Sequence, residues 1–252
     1  MTDILAVNIR ERLWHAMRSD LAVFLPEVID RELLMCPGCG RMLPFGDFSL
    51  EHLIPQQVLR SDPPNVRQNP ATPVNVRAGN LLLCKKPLKL GGQVINENGC
   101  NGWKGRMYDG RIAELLSIQR LGRNPVTTRH IIGAISVSYL ALVGRYGYRI
   151  ALIESGALCR RQFFQPDRFA SGMPLSSQIV MAGSLAEPPP PTASLWSSPF
   201  AFKFLPHACL IAARSFSVNV PVSRNPEAPI ALRLPFVPSR YKLRPDFRTF
   251  FE

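Results

Sequence analysis

Four of the six cysteines fall within one stretch of the chain: Cys36-Pro37-Gly38-Cys39, then Cys84, then Cys100. A Cys-x2-Cys turn presents two thiolates to one tetrahedral ion, and a second pair from a distant segment completes a structural zinc site. Each thiolate needs the metal's charge to stay ionised near neutral pH, so Zn²⁺ binding and folding are expected to be coupled. The second pair is widely spaced, with fifteen residues between Cys84 and Cys100. The alternative chemistry is a redox Cys-x2-Cys beside unrelated core cysteines. Cys159 and Cys209 have no partner at ligand spacing and read as structural. Glu51-His52 and Gly79-Asn80 stand between the cysteine pairs, and Asn101 directly follows the last cysteine. A histidine near neutrality is suited to taking a proton from water, and a carboxylate to binding a hard divalent cation. Each residue also has a plainer role: strand-end hydrogen bonding for His52, turn or helix-cap chemistry for Asn80 and Asn101.

Short elements must bring these residues together. Ile9, Leu13 and Met17 recur at four-residue spacing, and residues 4–34 read as helical. Residues 48–55 have the partly alternating look of a strand that ends at a proline. Residues 56–78 are polar, with prolines at 63, 64, 70 and 73, and read as a long loop of the kind that is often functional. Residues 79–84 form a second short apolar run, and 85–98 a basic, then glycine-rich insertion. A helix is expected from about Asn101 through Arg120, with Ile112, Leu115 and Leu116 on its buried side. After a boundary at Pro125, Thr127 or Thr128 caps a helix carrying Ile132, Ile135, Tyr139 and Val143, which ends near Gly144 or Gly147. Residues 149–165 carry no clear preference. The prolines at 188–191 form an extended connector, and 208–222 and 230–237 are β-branched enough for strands. The expected class is α+β: an N-terminal helical segment (1–34), a zinc-braced module (35–124), a helical region (125–187) and a β-rich basic C-terminal region (188–252).

Hydrophobic residues make up 46% of the chain and charged residues 19%, which argues against wholesale disorder. The formal charge is +12, with 16 Lys/Arg against 12 Asp/Glu before Pro125 and 14 against 6 after it. Basic chains suit nucleic acid, because neutralised phosphates release counterions; an anionic membrane surface or simple solubility would account for the charge as well. Asp3, Glu11 and Arg12 interrupt any secretory core, and the uncharged stretch 131–144 is too short to span a bilayer. A soluble, cytoplasmic protein without a membrane partner is therefore expected, a setting in which cysteines favour metal ligation over disulfides.

Taken in order, Cys36-Pro37-Gly38-Cys39, Glu51-His52-Leu53-Ile54-Pro55, Gly79-Asn80-Leu81-Leu82-Leu83-Cys84 and Cys100-Asn101-Gly102-Trp103-Lys104-Gly105 resemble the pattern of the HNH endonucleases, the ββα-metal nucleases. The resemblance implies a zinc-braced ββα-metal module and metal-dependent hydrolysis of phosphodiesters, preferably in DNA. It implies His52 as general base, Asn80 as the residue that orients it, and Glu51 and Asn101 as ligands of a catalytic Mg²⁺ or Mn²⁺. Arg77, Lys85, Lys86 and Lys104 are candidate phosphate contacts, with Arg60, Arg67 and Lys89 along the same path and a late basic cluster at Arg240, Lys242, Arg244 and Arg248. The chain departs from the family pattern in three places: 27 residues separate His52 from Asn80, residues 85–99 interrupt the zinc frame, and asparagine replaces the last histidine. These departures suit a slow, selective or partner-activated enzyme. One active site cuts one phosphodiester at a time, so double-strand cleavage calls for a homodimer or two successive events. The rival readings are a non-catalytic zinc module that binds nucleic acid and an interaction protein scaffolded by zinc.

Overall fold

Trp14, Met17 and Leu21 recur at three- and four-residue spacing, and this stripe is the face that helix α1 (Thr2–Ala22) buries. Met17 belongs to the expected stripe; Leu13 lies at its edge and Ile9 is half-buried. The computed structural model describes residues 2–60, 80–116, 127–165, 200–205, 208–213 and 216–221. The chain continues through a short α2 (Glu27–Asp30) into strands β1 (Leu33–Met35) and β2 (Met42–Pro44), an antiparallel pair. The helical segment thus ends before residue 34. Strand β3 (Phe48–His52) follows, then α3 (Gln56–Arg60). Strand β4 (Asn80–Cys84) pairs antiparallel with β3, Phe48 facing Cys84 and His52 facing Asn80.

The insertion expected at 85–98 is a β-hairpin, with β5 (Leu88–Leu90) antiparallel to β6 (Gln93–Asn96). The helix expected from Asn101 starts earlier, as α4 (Gly99–Lys104), passes through a π turn (Gly105–Asp109) and resumes as α5 (Gly110–Leu116). Ile112, Leu115 and Leu116 are buried as expected.

Helix α6 (Thr128–Tyr146) starts from Thr127, whose cap is shared with the His130 side chain, and ends at Gly147. Its residues from Ile132 to Val143 are all buried, the mark of a helix enclosed on every side. Residues 149–165, undecided from sequence, belong to α7 (Tyr148–Ala151) and α8 (Glu154–Phe164). A three-stranded antiparallel sheet, β7 (Ala201–Phe204), β8 (Ala208–Ala213) and β9 (Phe216–Pro221), packs against α6, with Tyr146 edge-on to Phe202 and Phe204. The strand expected at 230–237 and the proline connector at 188–191 lie outside the described residues.

One hydrophobic core runs from Trp14 through Phe48, Leu82, Ile135 and Phe163 to Val220. The segments divided at 125 and 188 therefore share a single interior, and the class is mixed α+β. Among the described residues no helix is long and apolar enough to cross a membrane.

Candidate metal centre and active site

The first cysteine pair sits on the turn that joins β1 to β2, closed by Cys36 N–H donating to Arg41 O at 2.8 Å and Gly40 N–H donating to Cys36 O at 2.8 Å. Cys84 ends β4 and Cys100 lies in the first turn of α4. All four side chains are buried, and their sulfurs lie within 4.8 Å of one another. Cys36 and Cys100 Sγ are 3.7 Å apart. A tetrahedral ion with metal–sulfur bonds of about 2.3 Å has edges of about 3.8 Å, so the spacing suits zinc. Gly99 makes the approach of α4 possible: its φ is +62°, and a Cβ there would lie 2.3 Å from Cys84 O. Burial pushes the thiols of Cys36 and Cys100 well above their usual range, while its sulfur neighbours hold Cys84 below it. Four buried cysteines are thus assembled to hold a metal ion such as zinc. Cys159 and Cys209 are buried elsewhere, both pushed up to about 12 by burial.

Arg41 is a functional residue that sequence reasoning missed. Its guanidinium donates to Cys84 Sγ at 2.9 Å and Cys39 Sγ at 3.4 Å, and to the carbonyls of Lys86 and Pro87, both at 3.0 Å. Burial opposes its charge, yet the surrounding cysteine sulfurs hold its pKa above the usual value. Four thiolates around a divalent ion leave two excess negative charges, and Arg41 offsets one of them. From behind, Tyr139 donates to Pro37 O at 3.1 Å and Tyr148 donates to Met35 O, tying α6 and α7 to the cysteine turn.

Strand β3 alternates. Phe48 is buried against Trp14, whereas Ser49 and Glu51 meet α4. Glu51 is 4% exposed, and its Oε1 lies 2.7 Å from Lys104 Nζ. The same ammonium lies 2.6 Å from Asp109 Oδ1 and donates to His52 O at 3.2 Å. Lys104 and Asp109 are five residues apart, which on a regular α-helix is roughly 140° around the axis. The π turn, with its i→i+5 bonding, brings them onto one face. Burial pushes the Glu51 carboxyl up to about 6, with Lys104 pulling it down and Asp109 adding to the rise. Burial also works against the Lys104 ammonium, but the carboxylates of Glu51 and Asp109 outweigh it and raise its pKa.

Asn101 Nδ2 donates to Ser49 Oγ at 3.0 Å and to Leu50 O at 3.1 Å. The structure therefore brings Glu51, His52, Asn80 and Asn101 to one end of the β3–β4 pair. It sets Lys104, not Asn101, directly against Glu51. His52 is half-buried and faces Asn80 across the ladder. Lys104, expected at a phosphate, is 1% exposed and spends its charge internally, a correction forced by the two carboxylates around it. Lys85 and Lys86 are exposed, the latter 3.6 Å from Asp47 Oδ2. Arg77, Arg67 and the cluster Arg240, Lys242, Arg244 and Arg248 lie outside the described residues. Asp109 is the second residue the sequence reading missed; an acidic residue just past Lys104-Gly105 was the available signal. Among the described residues, the cysteine cluster is the only group of three or more His, Cys, Asp or Glu side chains placed to hold a metal ion.

No protein-family model, curated protein or solved structure matches the chain.

Proposed function

We propose that the chain is an HNH-type endonuclease that hydrolyses phosphodiester bonds in DNA, braced by zinc on Cys36, Cys39, Cys84 and Cys100. One observation carries the reading. Residues from three separated segments that the family pattern names, Glu51-His52, Asn80 and Asn101, converge at one end of an antiparallel strand pair, with Asn101 on the helix that begins at the fourth cysteine.

In this reading His52 is the general base: its imidazole takes the proton from the water that attacks phosphorus. Asn80, opposite it in the ladder, orients the ring. Carboxylate and carboxamide oxygens are the donor chemistry that Mg²⁺ or Mn²⁺ prefers, and Glu51 and Asn101 are the residues that would hold such an ion. Bound there, the ion supplies positive charge for the phosphate and for the departing oxygen. Glu51 reaches it only by releasing or sharing its 2.7 Å contact with Lys104.

The Lys104–Glu51 contact also favours a second reading, a non-catalytic zinc-stabilised module that binds nucleic acid, because it occupies the carboxylate an ion would need. One experiment separates the two. Supercoiled plasmid is incubated with the chain and Mg²⁺ or Mn²⁺, comparing wild type with His52→Ala, while zinc content and DNA binding are measured on both. Metal-dependent nicking by wild type, lost in His52→Ala with zinc and binding retained, is the expected result. DNA bound but uncut by both proteins sinks the nuclease reading and leaves the binding module.

A further inference from the structure

The hairpin between the third and fourth cysteines is the most exposed part of the site's surroundings. Leu88 and Asn96 at its base are buried, whereas Lys89, Leu90, Gln93 and Val94 are exposed, Leu90 at 41% and Val94 at 44%. In the ladder Lys89 faces Val94 and Leu90 faces Gln93. Neighbouring pairs point to opposite faces of a two-stranded ribbon, so both faces of the tip are bare. Gly91 and Gly92, with φ of +58° and +80°, form the two-residue turn that fixes the strand register.

A two-stranded hairpin is marginal by itself. This one is held at its base: Arg41 binds the carbonyls of Lys86 and Pro87, Arg106 donates to Ile95 O at 2.8 Å, and Lys85 N–H donates to Asp47 O at 2.8 Å. Its two ends lead directly to Cys84 and Cys100. Around it, Lys85, Lys86, Lys89 and Arg106 are exposed cations; the nearby acids are Glu97 and Asp47, the latter paired with Lys86. A rigid, cationic ribbon with apolar side chains at its tip has the shape and charge of a groove reader.

We propose that the β5–β6 hairpin enters the groove of duplex DNA, with Lys89, Leu90 and Val94 as its leading contacts. The inference rests on the nucleic-acid reading above and narrows its substrate class. The major groove of B-form DNA, about 12 Å wide, admits a two-stranded ribbon. The major groove of A-form RNA is too deep and narrow to do so, which selects DNA over RNA duplexes.

The test uses the full zinc-loaded chain and fluorescence anisotropy with a labelled DNA duplex and an RNA duplex of matching sequence. Wild type binds the DNA duplex more tightly than the RNA duplex. The triple variant Lys89→Ala, Leu90→Ser, Val94→Ser binds DNA roughly tenfold more weakly with unchanged zinc content. If the triple variant loses zinc, the single exposed charge reversal Lys89→Glu carries the same expectation. Undiminished DNA binding by the variant, or equal wild-type affinity for both duplexes, overturns the groove assignment while plasmid nicking still speaks for the nuclease. Absence of wild-type binding to either duplex overturns the groove assignment and the nucleic-acid reading together.

Discussion

Lys104 Nζ lies 2.7 Å from Glu51 Oε1, with the two side chains 1% and 4% exposed. Both charges have left water, and each depends on the other for compensation. Asp109 and the His52 carbonyl complete the ammonium's surroundings. A buried pair of this kind adds little net stability over an apolar pair, but breaking it strands a charge.

Lys104→Met should therefore cost about 3–5 kcal/mol. Adding Glu51→Gln removes the stranded carboxylate, and the double variant should recover most of the loss. Urea unfolding of the zinc-loaded proteins measures both. A single variant within about 1 kcal/mol of wild type would mean that water reaches the pair in solution.

Glu51 also sets a pH dependence. Its carboxyl is pushed up to about 6 from an ordinary 4.5. The folded state thus holds this proton more tightly than the unfolded state, and the group's contribution to stability declines as pH rises. That contribution is most favourable below the unfolded value and falls by about 2 kcal/mol by the time pH has passed the folded one. The unfolding free energy of wild type relative to Glu51→Gln should fall between pH 4.5 and 6. A difference that rises across that window would refute the assignment.

Arg41 offers a test at the metal centre. Loss of an outer-shell partner typically costs 10–100-fold in metal affinity, and Arg41→Ala should weaken zinc binding by about that factor. Competition with a chromogenic chelator gives the affinity directly. Because Arg41 also grips Lys86 O and Pro87 O, hydrogen exchange at the base of the β5–β6 hairpin should accelerate in the same variant. Wild-type zinc affinity in Arg41→Ala would show that the guanidinium serves only the hairpin.

The cysteine frame was legible because thiolate pairs announce themselves by type and spacing, and Cys36, Cys39, Cys84 and Cys100 do come together. The β3–β4 pair was legible too, since both strands are short apolar runs with Glu51-His52 and Asn80 at matching ends. Lys104 was misread because its direction depends on where α4 begins, and a start two residues earlier turns it inward. Asp109 was missed because regular helical periodicity puts it on another face. Arg41 was missed because nothing in a lone arginine signals contact with a cysteine forty-three positions on. The insertion at 85–98 looked like a loop, for its Gly91-Gly92 signal marks a turn and its strands are only three and four residues long.

The π turn also constrains chain length. Gly105–Asp109 contains one residue more than an α-helix would need to link the segment anchored at Cys100 with the apolar stripe of Ile112, Leu115 and Leu116. Deleting any one residue there would regularise the helix and swing everything after it by about 100°. Asp109 would then leave Lys104, and the stripe would turn out of the core. The hairpin tip at Gly91-Gly92 hangs free and can gain or lose residues at little cost, but the count from Cys100 to Ile112 is fixed to the single residue.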